Sequence, residues 1–151
     1  GIGMNVLFTD KFVGKTQINL NLANDKKISF DLESSDMTEL LKNSDFVSLH
    51  VPAQKSYVIG KNEFNLMKTG AGLINAARGG VVDEKSLIES LDSGKLAFAG
   101  VDTFENEPKP SVKLLMHPKV SLTPHIGAAT NEAQDRIGIE LANQIMTLVK
   151  E

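Results

Sequence analysis

Short apolar runs rich in β-branched residues alternate with amphipathic stretches along most of the chain. The runs predicted to be strands are residues 4–9, 27–31, 45–51, 73–76, 96–101 and 120–123. Several of the intervening stretches repeat apolar residues at the three- and four-residue spacing of a helix with one buried face. This alternation predicts a parallel sheet covered by helices, and therefore an α/β fold.

Capping residues predict where the shorter helices begin. Asp36, followed three residues later by Glu39, predicts the start of a short helix that ends at Asn43. Asp83 is predicted to cap a second helix, and residues 61–67 are predicted to form a third.

The longest predicted helix lies near the carboxyl terminus, where Thr130 or Asn131 is expected to cap it. Its apolar stripe has spacings of four, four and three residues and consists of Ile137, Leu141, Ile145 and Leu148. Residues 11–26, in contrast, look polar and irregular, and no element is predicted there.

The composition limits the classes of function. With 16 Lys and Arg against 19 Asp and Glu, the chain has a net charge of −3 and lacks the basic excess typical of nucleic-acid and membrane-surface binders. It contains no cysteine, which excludes disulfides and thiolate metal ligands, and no metal site is predicted. No apolar run approaches the roughly 18 residues of a membrane span, and the amino end lacks a secretory-signal pattern. We therefore expect a cytoplasmic protein.

An ionisable residue lies at the end of five predicted strands. In chain order these residues are Asp10, His50, Arg78, Asp102 and His125. Ligands of open parallel sheets bind outside the carboxyl ends of the strands, so these residues predict a binding site at one sheet edge. The remaining histidine, His117, lies in a proline-containing loop and is expected to be solvated.

Two of these residues have side chains suited to catalysis. Arg78 follows a buried strand and precedes two glycines, a setting that suits capture of a carboxylate, although an ion pair with a neighbouring loop is the alternative. His125, between a proline and Ile126-Gly127, is a natural proton donor or acceptor near neutral pH. Either Glu105 or Glu107 could orient its ring, and the sequence alone does not choose between them.

Three longer motifs carry a family resemblance. Residues 75–84 (NAARGGVVDE), 100–108 (GVDTFENEP) and 122–127 (LTPHIG) resemble the signatures of the D-isomer-specific 2-hydroxyacid dehydrogenases. The resemblance implies a Rossmann-like, doubly wound parallel sheet. Residues 1–151 would form an incomplete NAD-binding domain that lacks the first strand, the Gly-rich loop and the first helix, and the substrate-binding domain would be absent from this chain.

The resemblance also implies a reaction and the roles of three residues. The reaction is NAD-dependent hydride transfer between a D-2-hydroxy acid and its 2-keto acid. The similarity is greatest to the branch that oxidises 3-phosphoglycerate in serine biosynthesis. Arg78 would hold the substrate carboxylate, His125 would exchange the proton, and Glu107 would be the partner of the histidine.

The same resemblance implies a set of NAD contacts. Asp102 would lie beside the nicotinamide, and Asp10 would accept hydrogen bonds from the adenosine ribose, which favours NAD over a 2′-phosphorylated cofactor. The full set of implied cofactor-binding residues is Asp10, His50, Val51, Pro52, Ala76, Asp102 and Gly127.

The missing first strand would leave a gap at the centre of the sheet. The flanking strands would then close up, another chain would donate a strand, or the segment ending at Asp10 would detach or repack. We therefore expect a homo-oligomer or a rearranged sheet, and negligible turnover from the 151 residues alone. The competing hypothesis is a non-catalytic, NAD-sensing interaction module related to the corepressor branch of the same family.

Overall fold

A parallel sheet of four strands forms the centre of the fold. The computed structural model describes residues 3–149. Its strands are β1 (Lys15–Asn21), β2 (Lys27–Glu33), β3 (Phe46–Leu49), β4 (Ala71–Asn75), β5 (Leu96–Val101) and β6 (Val120–Leu122). Its helices are α1 (Met37–Asn43), α2 (Lys61–Leu66), α3 (Glu84–Asp92), α4 (Val112–Leu115) and α5 (Asn131–Val149). The parallel sheet has the order β3-β4-β5-β6, which confirms the predicted α/β class.

One face of this sheet carries the hydrophobic core. Val47 and Leu49 of β3 are buried, and so are Leu96, Ala99 and Val101 of β5. They pack with apolar residues of α1 to α4. The largest fully buried side chains of this core are Leu41, Ile59, Phe64, Met67, Leu73, Leu87, Leu91, Leu96 and Leu114.

The opposite face of the sheet is open. Phe46 and Phe98 are 56% and 38% exposed, and their ring centroids lie 6.0 Å apart. The two rings meet over Gly72, where a Cβ would lie only 2.4 Å from the Phe98 ring. Within the described residues, the helical layer expected on both faces of a doubly wound sheet therefore covers one face.

The predicted helix starts are confirmed for α1 and α3. The Asp36 carboxylate accepts hydrogen bonds from the backbone N–H groups of Thr38 and Glu39, at 2.8 and 3.4 Å. Asp83 caps α3 in the same way, accepting from Lys85 and Ser86. These carboxylates satisfy backbone donors that have no partner inside the helix.

The predicted first strand, residues 4–9, is absent from the sheet. Met4, Val6 and Leu7 are exposed, and the segment makes one isolated bridge, from Phe8 to Ser34. A parallel strand needs a neighbour to pair its backbone groups, and within the described residues no strand of the four-stranded sheet pairs with this segment. Asp10 consequently lies within an exposed loop that leads to β1. Three outcomes were expected for the gap in the sheet, and the structure shows the one in which this segment lies outside the sheet.

Residues 15–33 form an antiparallel hairpin of β1 and β2, in a region where only residues 27–31 were predicted to be a strand. Apolar residues alternate with polar ones in both strands, so Ile18 faces Phe30 and Leu20 faces Ile28. The polar positions also pair across the strands, for example by the 2.6 Å hydrogen bond from the Ser29 hydroxyl to the Asn19 side chain.

The long helix α5 is present where it was predicted. Of its two candidate caps, Thr130 accepts a hydrogen bond on its hydroxyl from the Ala133 N–H at 3.2 Å. The expected apolar stripe is exposed in the described residues, with Ile137, Leu141, Ile145 and Leu148 all more than half accessible. Of the helices that the structure describes, α5 included, none is long and apolar enough to cross a membrane.

The prediction of a solvated His117 is wrong. Its side chain is only 8% exposed, and its Nε2 lies 3.2 Å from the carboxylate of Asp92 at the end of α3. Its Nδ1 accepts a hydrogen bond from the Lys119 N–H. His117 therefore has a structural role, tying the loop before β6 to α3.

Substitutions of two adjacent residues of the central strand β4 test whether only one face of the sheet is covered. Leu73→Ala removes a fully buried side chain and should lower the free energy of unfolding by about 2–5 kcal/mol, whereas Ile74→Ala, on the open side, should cost clearly less. Urea denaturation of both variants measures the difference. Equal losses would mean that the second face is covered.

Candidate active site

The carboxyl ends of the four parallel strands meet at one edge of the sheet. The strand pairing continues past the last strand residues, because the Asp102 N–H donates to the Asn75 carbonyl at 2.9 Å and the Thr123 N–H donates to the Val101 carbonyl at 3.1 Å. Asn75, Asp102 and Thr123 therefore lie side by side. The polar residues after β4, β5 and β6 form the candidate active site.

His125 and Glu107 form a hydrogen-bonded pair at this edge. The Nδ1 atom of His125 lies 2.8 Å from Oε2 of Glu107. The other carboxylate oxygen of Glu107 accepts the Phe104 N–H at 2.9 Å. The Phe104 N–H, together with the imidazole of His125, holds the pKa of Glu107 below its ordinary value. Of the two glutamates left open by the sequence, it is Glu107 that contacts the ring.

The backbone of His125 adopts the left-handed conformation, with φ of 55°. This region is uncommon for residues other than glycine, so the surrounding structure must hold it in place. The next two backbone N–H groups, of Ile126 and Gly127, both donate to the Asp102 carboxylate at 2.9 Å. Asp102 therefore anchors the turn that presents the imidazole.

Asp102 is 6% exposed and accepts three hydrogen bonds. Its Oδ1 accepts from the Thr123 hydroxyl and the Ile126 N–H, and its Oδ2 accepts from the Gly127 N–H. Burial raises the pKa of Asp102, but these hydrogen bonds outweigh burial, so the pKa of the carboxyl is lowered overall. The Ile126 and Gly127 N–H groups, which the Asp102 carboxylate holds in place, thus favour its ionised form.

Arg78 lies in a turn that packs against the loop carrying Glu107. The side chain of Asn75 organises this turn, accepting from the Ala77 N–H and donating to the Arg78 carbonyl. At Gly79 a Cβ would lie 1.9 Å from the Phe104 carbonyl oxygen, so only glycine allows the two backbones to approach this closely.

The guanidinium of Arg78 is directed back onto its own turn. It donates to the Ala77 carbonyl at 2.6 Å and is exposed. Within residues 3–149, it forms no ion pair with a neighbouring loop, which was the alternative reading of this residue. The turn that carries Arg78 meets the loop that carries Glu107 through the contact of Gly79 with the Phe104 carbonyl.

Two cavities flank these residues. The larger, of about 450 Å³, is bordered by the Glu107–His125 pair, by Thr123 and by apolar side chains. Its apolar lining residues are Phe104, Pro108, Pro110, Leu115, Leu122 and Pro124. The smaller, of about 190 Å³, lies across the ends of β4, β5 and β6 and is lined in part by Asn75, Ala76, Asp102 and Thr123. Among the described residues, Arg78 lines neither cavity.

The remaining predicted cofactor residues divide into two groups. His50, Val51 and Pro52 follow β3 at the same sheet edge, and the His50 Nε2 lies 2.9 Å from the Ser48 hydroxyl. Asp10 lies outside this sheet, where its Oδ1 accepts the Phe12 and Val13 N–H groups of its own loop. The structure therefore groups every predicted site residue except Asp10 at one edge.

The sequence reasoning missed several residues that support the site. Asn75 and Thr123 end or follow strands, but they were passed over in favour of ionisable residues, so attention to all polar strand-end residues would have found them. The backbone N–H groups of Glu84 and Glu105 each donate to the carboxylate of the other residue, 21 positions away in the chain, and no local pattern signals that contact.

Two threonines, the buried Thr103 and the exposed Thr123, give contrasting tests of the polar contacts here. The Thr103 hydroxyl has no hydrogen-bond partner among the described residues, whereas the Thr123 hydroxyl donates to Asp102 at 2.6 Å. Thr103→Val should raise the free energy of unfolding by about 1 kcal/mol, because it removes an unpaired buried hydroxyl, and Thr123→Val should lower it by about 1–2 kcal/mol. Urea unfolding checks both signs, and a destabilised Thr103→Val protein would contradict the first.

Asp102→Asn tests the anchor of the histidine turn. Asparagine has one acceptor oxygen, so its amide would face a backbone N–H, and we expect a loss of about 2 kcal/mol in the free energy of unfolding at pH 7. Because folding lowers the pKa of Asp102, the stability that its carboxylate contributes is present above the unfolded value of about 3.9 and is lost as the pH falls through the folded value. Unfolding measured from pH 7 to 3 should show a shallower acid loss in the variant. Identical acid slopes would refute the assignment.

Comparisons with known proteins agree with the predicted family resemblance. The sequence model for the D-isomer specific 2-hydroxyacid dehydrogenase, NAD binding domain, matches residues 1–127. A D-3-phosphoglycerate dehydrogenase of Archaeoglobus fulgidus is 42% identical over 153 residues, which cover 97% of this chain and 27% of the relative. A hydroxypyruvate reductase of Thermotoga maritima is 47% identical over 119 residues, which cover 76% of this chain and 39% of the relative.

The fold agrees as well. The crystal structure of a glyoxylate reductase from Paecilomyes thermophila matches with a TM-score of 0.70 and 36% identity, over 80% of this chain and 37% of that protein. The chain spans less than half the length of each of these three proteins. On the family model and on identities that extend over nearly the whole chain, this chain belongs to the NAD-binding domain of the D-isomer specific 2-hydroxyacid dehydrogenase family.

Proposed function

We propose that the protein containing this chain transfers hydride between a D-2-hydroxy acid and its 2-keto acid, with NAD as the cofactor. The observation that carries the proposal is the 2.8 Å contact between Glu107 and His125 at the carboxyl edge of the sheet. An imidazole paired with an ionised carboxylate is suited to general acid–base chemistry near neutral pH. Membership of the family supplies the reaction class.

The smaller cavity supports a nicotinamide at this edge. It is lined by Ala76 and Asp102, and the Asp102 Oδ2 accepts only one hydrogen bond among the described residues, so it retains capacity for a carboxamide N–H. When bound, NAD supplies the hydride acceptor and NADH the hydride donor. Together with Ala76 and Asp102, the residues proposed to contact the cofactor are Asp10, His50, Val51, Pro52 and Gly127.

His125 is proposed to move the proton. Its Nδ1 is engaged by Glu107, so Nε2 is the nitrogen available to a substrate oxygen. During oxidation the neutral ring accepts the hydroxyl proton at Nε2, and during reduction the protonated ring donates it to the keto oxygen. Glu107 stays ionised because its pKa is lowered, and its negative charge stabilises the imidazolium.

Arg78 is proposed to bind the substrate carboxylate. A guanidinium can donate two parallel hydrogen bonds to a carboxylate, which fixes the orientation of the acid as well as its position. To do so, the side chain must exchange its hydrogen bond to the Ala77 carbonyl for bonds to the substrate. This side chain is exposed and therefore free to make that change.

For the substrate, we propose 3-phosphoglycerate, and with it a cytoplasmic role in serine biosynthesis. The support is the Archaeoglobus relative of that name, which aligns with 97% of this chain. A phosphate needs cationic partners, and within the described residues the larger cavity is lined by neither Lys nor Arg. The phosphate would thus be held by residues outside this chain. Homo-oligomerisation, which would cover the exposed stripe of α5, belongs to the same proposal.

Kinetics of the full-length protein test the proposed residues. With NADH and a panel of 3-phosphohydroxypyruvate, hydroxypyruvate, glyoxylate and pyruvate, we expect His125→Ala to lower kcat by roughly 10²–10⁴-fold, the usual contribution of a positioned acid–base group. Arg78→Lys should raise KM for the keto acid by about tenfold, since the two-point contact is lost. Arg136→Lys, on the exposed helix α5, is the control and should change neither value.

The panel also separates the parts of the proposal. Absence of NADH oxidation with every keto acid would refute the enzymatic function and favour the NAD-sensing module. Oxidation that excludes 3-phosphohydroxypyruvate would refute the phosphoglycerate assignment alone.

A further inference from the structure

Two glutamates form a crossed contact behind the histidine pair. The Glu84 N–H, at the start of α3, donates to Oε1 of Glu105 at 2.9 Å. The Glu105 N–H, in the loop after β5, donates to Oε1 of Glu84 at 2.8 Å. Each carboxylate thus accepts the backbone N–H of the other residue, and hydrogen bonds to charged acceptors are stronger than neutral ones. The contact joins α3 to the segment that carries Glu107.

The contact completes the amino end of α3. Asp83 accepts the N–H groups of Lys85 and Ser86, and Glu105 accepts that of Glu84, so the first three backbone donors of the nine-residue helix all have carboxylate partners. The positive end of the helix dipole favours the negative charge of Glu105. A residue of the active-site loop therefore takes part in capping the helix.

The contact also determines the shape of the loop. Successive N–H groups are taken by two carboxylates, that of Phe104 by Glu107 and that of Glu105 by Glu84. On the other side, the Phe104 carbonyl abuts Gly79, where no Cβ would fit. The backbone at 104–105 is therefore held from both sides, and Oε2 of Glu107 is left for the imidazole.

The placement of Glu84 has an electrostatic cost. It is only 7% exposed, and burial, together with the nearby charge of Glu105, raises the pKa of its carboxyl. The start of α3 does not require a buried carboxylate at Glu84, because Asp83 already caps the helix. What the Glu84 carboxylate does bind is the Glu105 N–H of the loop, and this contact accounts for its burial.

We propose that Glu84 and Glu105 are positioning residues, which hold the 104–107 loop so that Glu107 meets His125. The inference rests on the proposed acid–base role of that pair and extends it to the helix behind it. Glu84 acts through the loop and touches neither substrate nor cofactor.

Three variants of α3 separate positioning from general stability. Glu84→Ala removes the acceptor, Glu84→Gln removes the charge but keeps an oxygen acceptor, and Glu89→Ala removes an exposed glutamate of the same helix. In the full-length protein we expect Glu84→Ala to lower kcat roughly tenfold with KM for NADH unchanged, a part of the 10²–10⁴-fold effect of a positioned acid–base group. Glu84→Gln should restore most of this loss, and Glu89→Ala should match the wild type.

A spectroscopic measurement does not depend on turnover. Carbon-13 NMR of the Glu107 carboxyl in the full-length protein should show its pKa rising toward the ordinary glutamate value in Glu84→Ala, because the loop that brings it to the Phe104 N–H and to His125 is released. The Glu107 pKa should stay low in Glu84→Gln and Glu89→Ala.

The outcomes distinguish this inference from the proposed function. A Glu84→Ala protein that is less stable but keeps the wild-type kcat and the lowered Glu107 pKa would overturn the positioning role. If the wild-type protein reduces no keto acid while the Glu107 pKa shifts as expected, the positioning contact stands and the enzymatic proposal fails.

Discussion

The buried carboxylate of Asp102 is the contact on which the site depends. It receives the Ile126 and Gly127 N–H groups and so holds His125 in a backbone conformation that the residue would rarely adopt alone. The Thr123 hydroxyl supplies a third hydrogen bond, which binds the carboxylate to β6 as well as to β5. Without this anchor, the imidazole would have no fixed direction relative to the sheet edge.

The two carboxylates at this edge, of Asp102 and Glu107, make different kinds of contact. Asp102 accepts hydrogen bonds from backbone and hydroxyl groups and acts on the direction of the chain. Glu107 is partly exposed and lies 2.8 Å from the imidazole of His125, the ring that it is proposed to support. Both carboxyls have lowered pKa values, and accepted hydrogen bonds are the common cause. The carboxylate of Asp102 thus fixes the backbone turn, whereas the carboxylate of Glu107 is proposed to assist proton transfer by His125.

Sequence reasoning succeeded where the signal was local. Caps such as Asp36 and Asp83 and the strands from Phe46 onward could be predicted because each depends on neighbouring residues. The first strand of the hairpin was missed, although its two-residue alternation of Ile18 and Leu20 is visible in the sequence. Residues 4–9 were wrongly predicted as a sheet strand, because an apolar run does not reveal whether a neighbouring strand is present to pair with it. The Glu84–Glu105 contact was out of reach, since it depends on tertiary structure.

The missing side chain at Gly79 has a consequence for how such a site could change. Because the backbone there touches the Phe104 carbonyl, the turn bearing Arg78 and the loop bearing Glu107 share one steric boundary. Moving the turn that bears Arg78 would therefore require moving the loop that bears Glu107 as well. If the proposed roles of Arg78 and Glu107 hold, redesign toward bulkier acids would therefore have to alter both loops together.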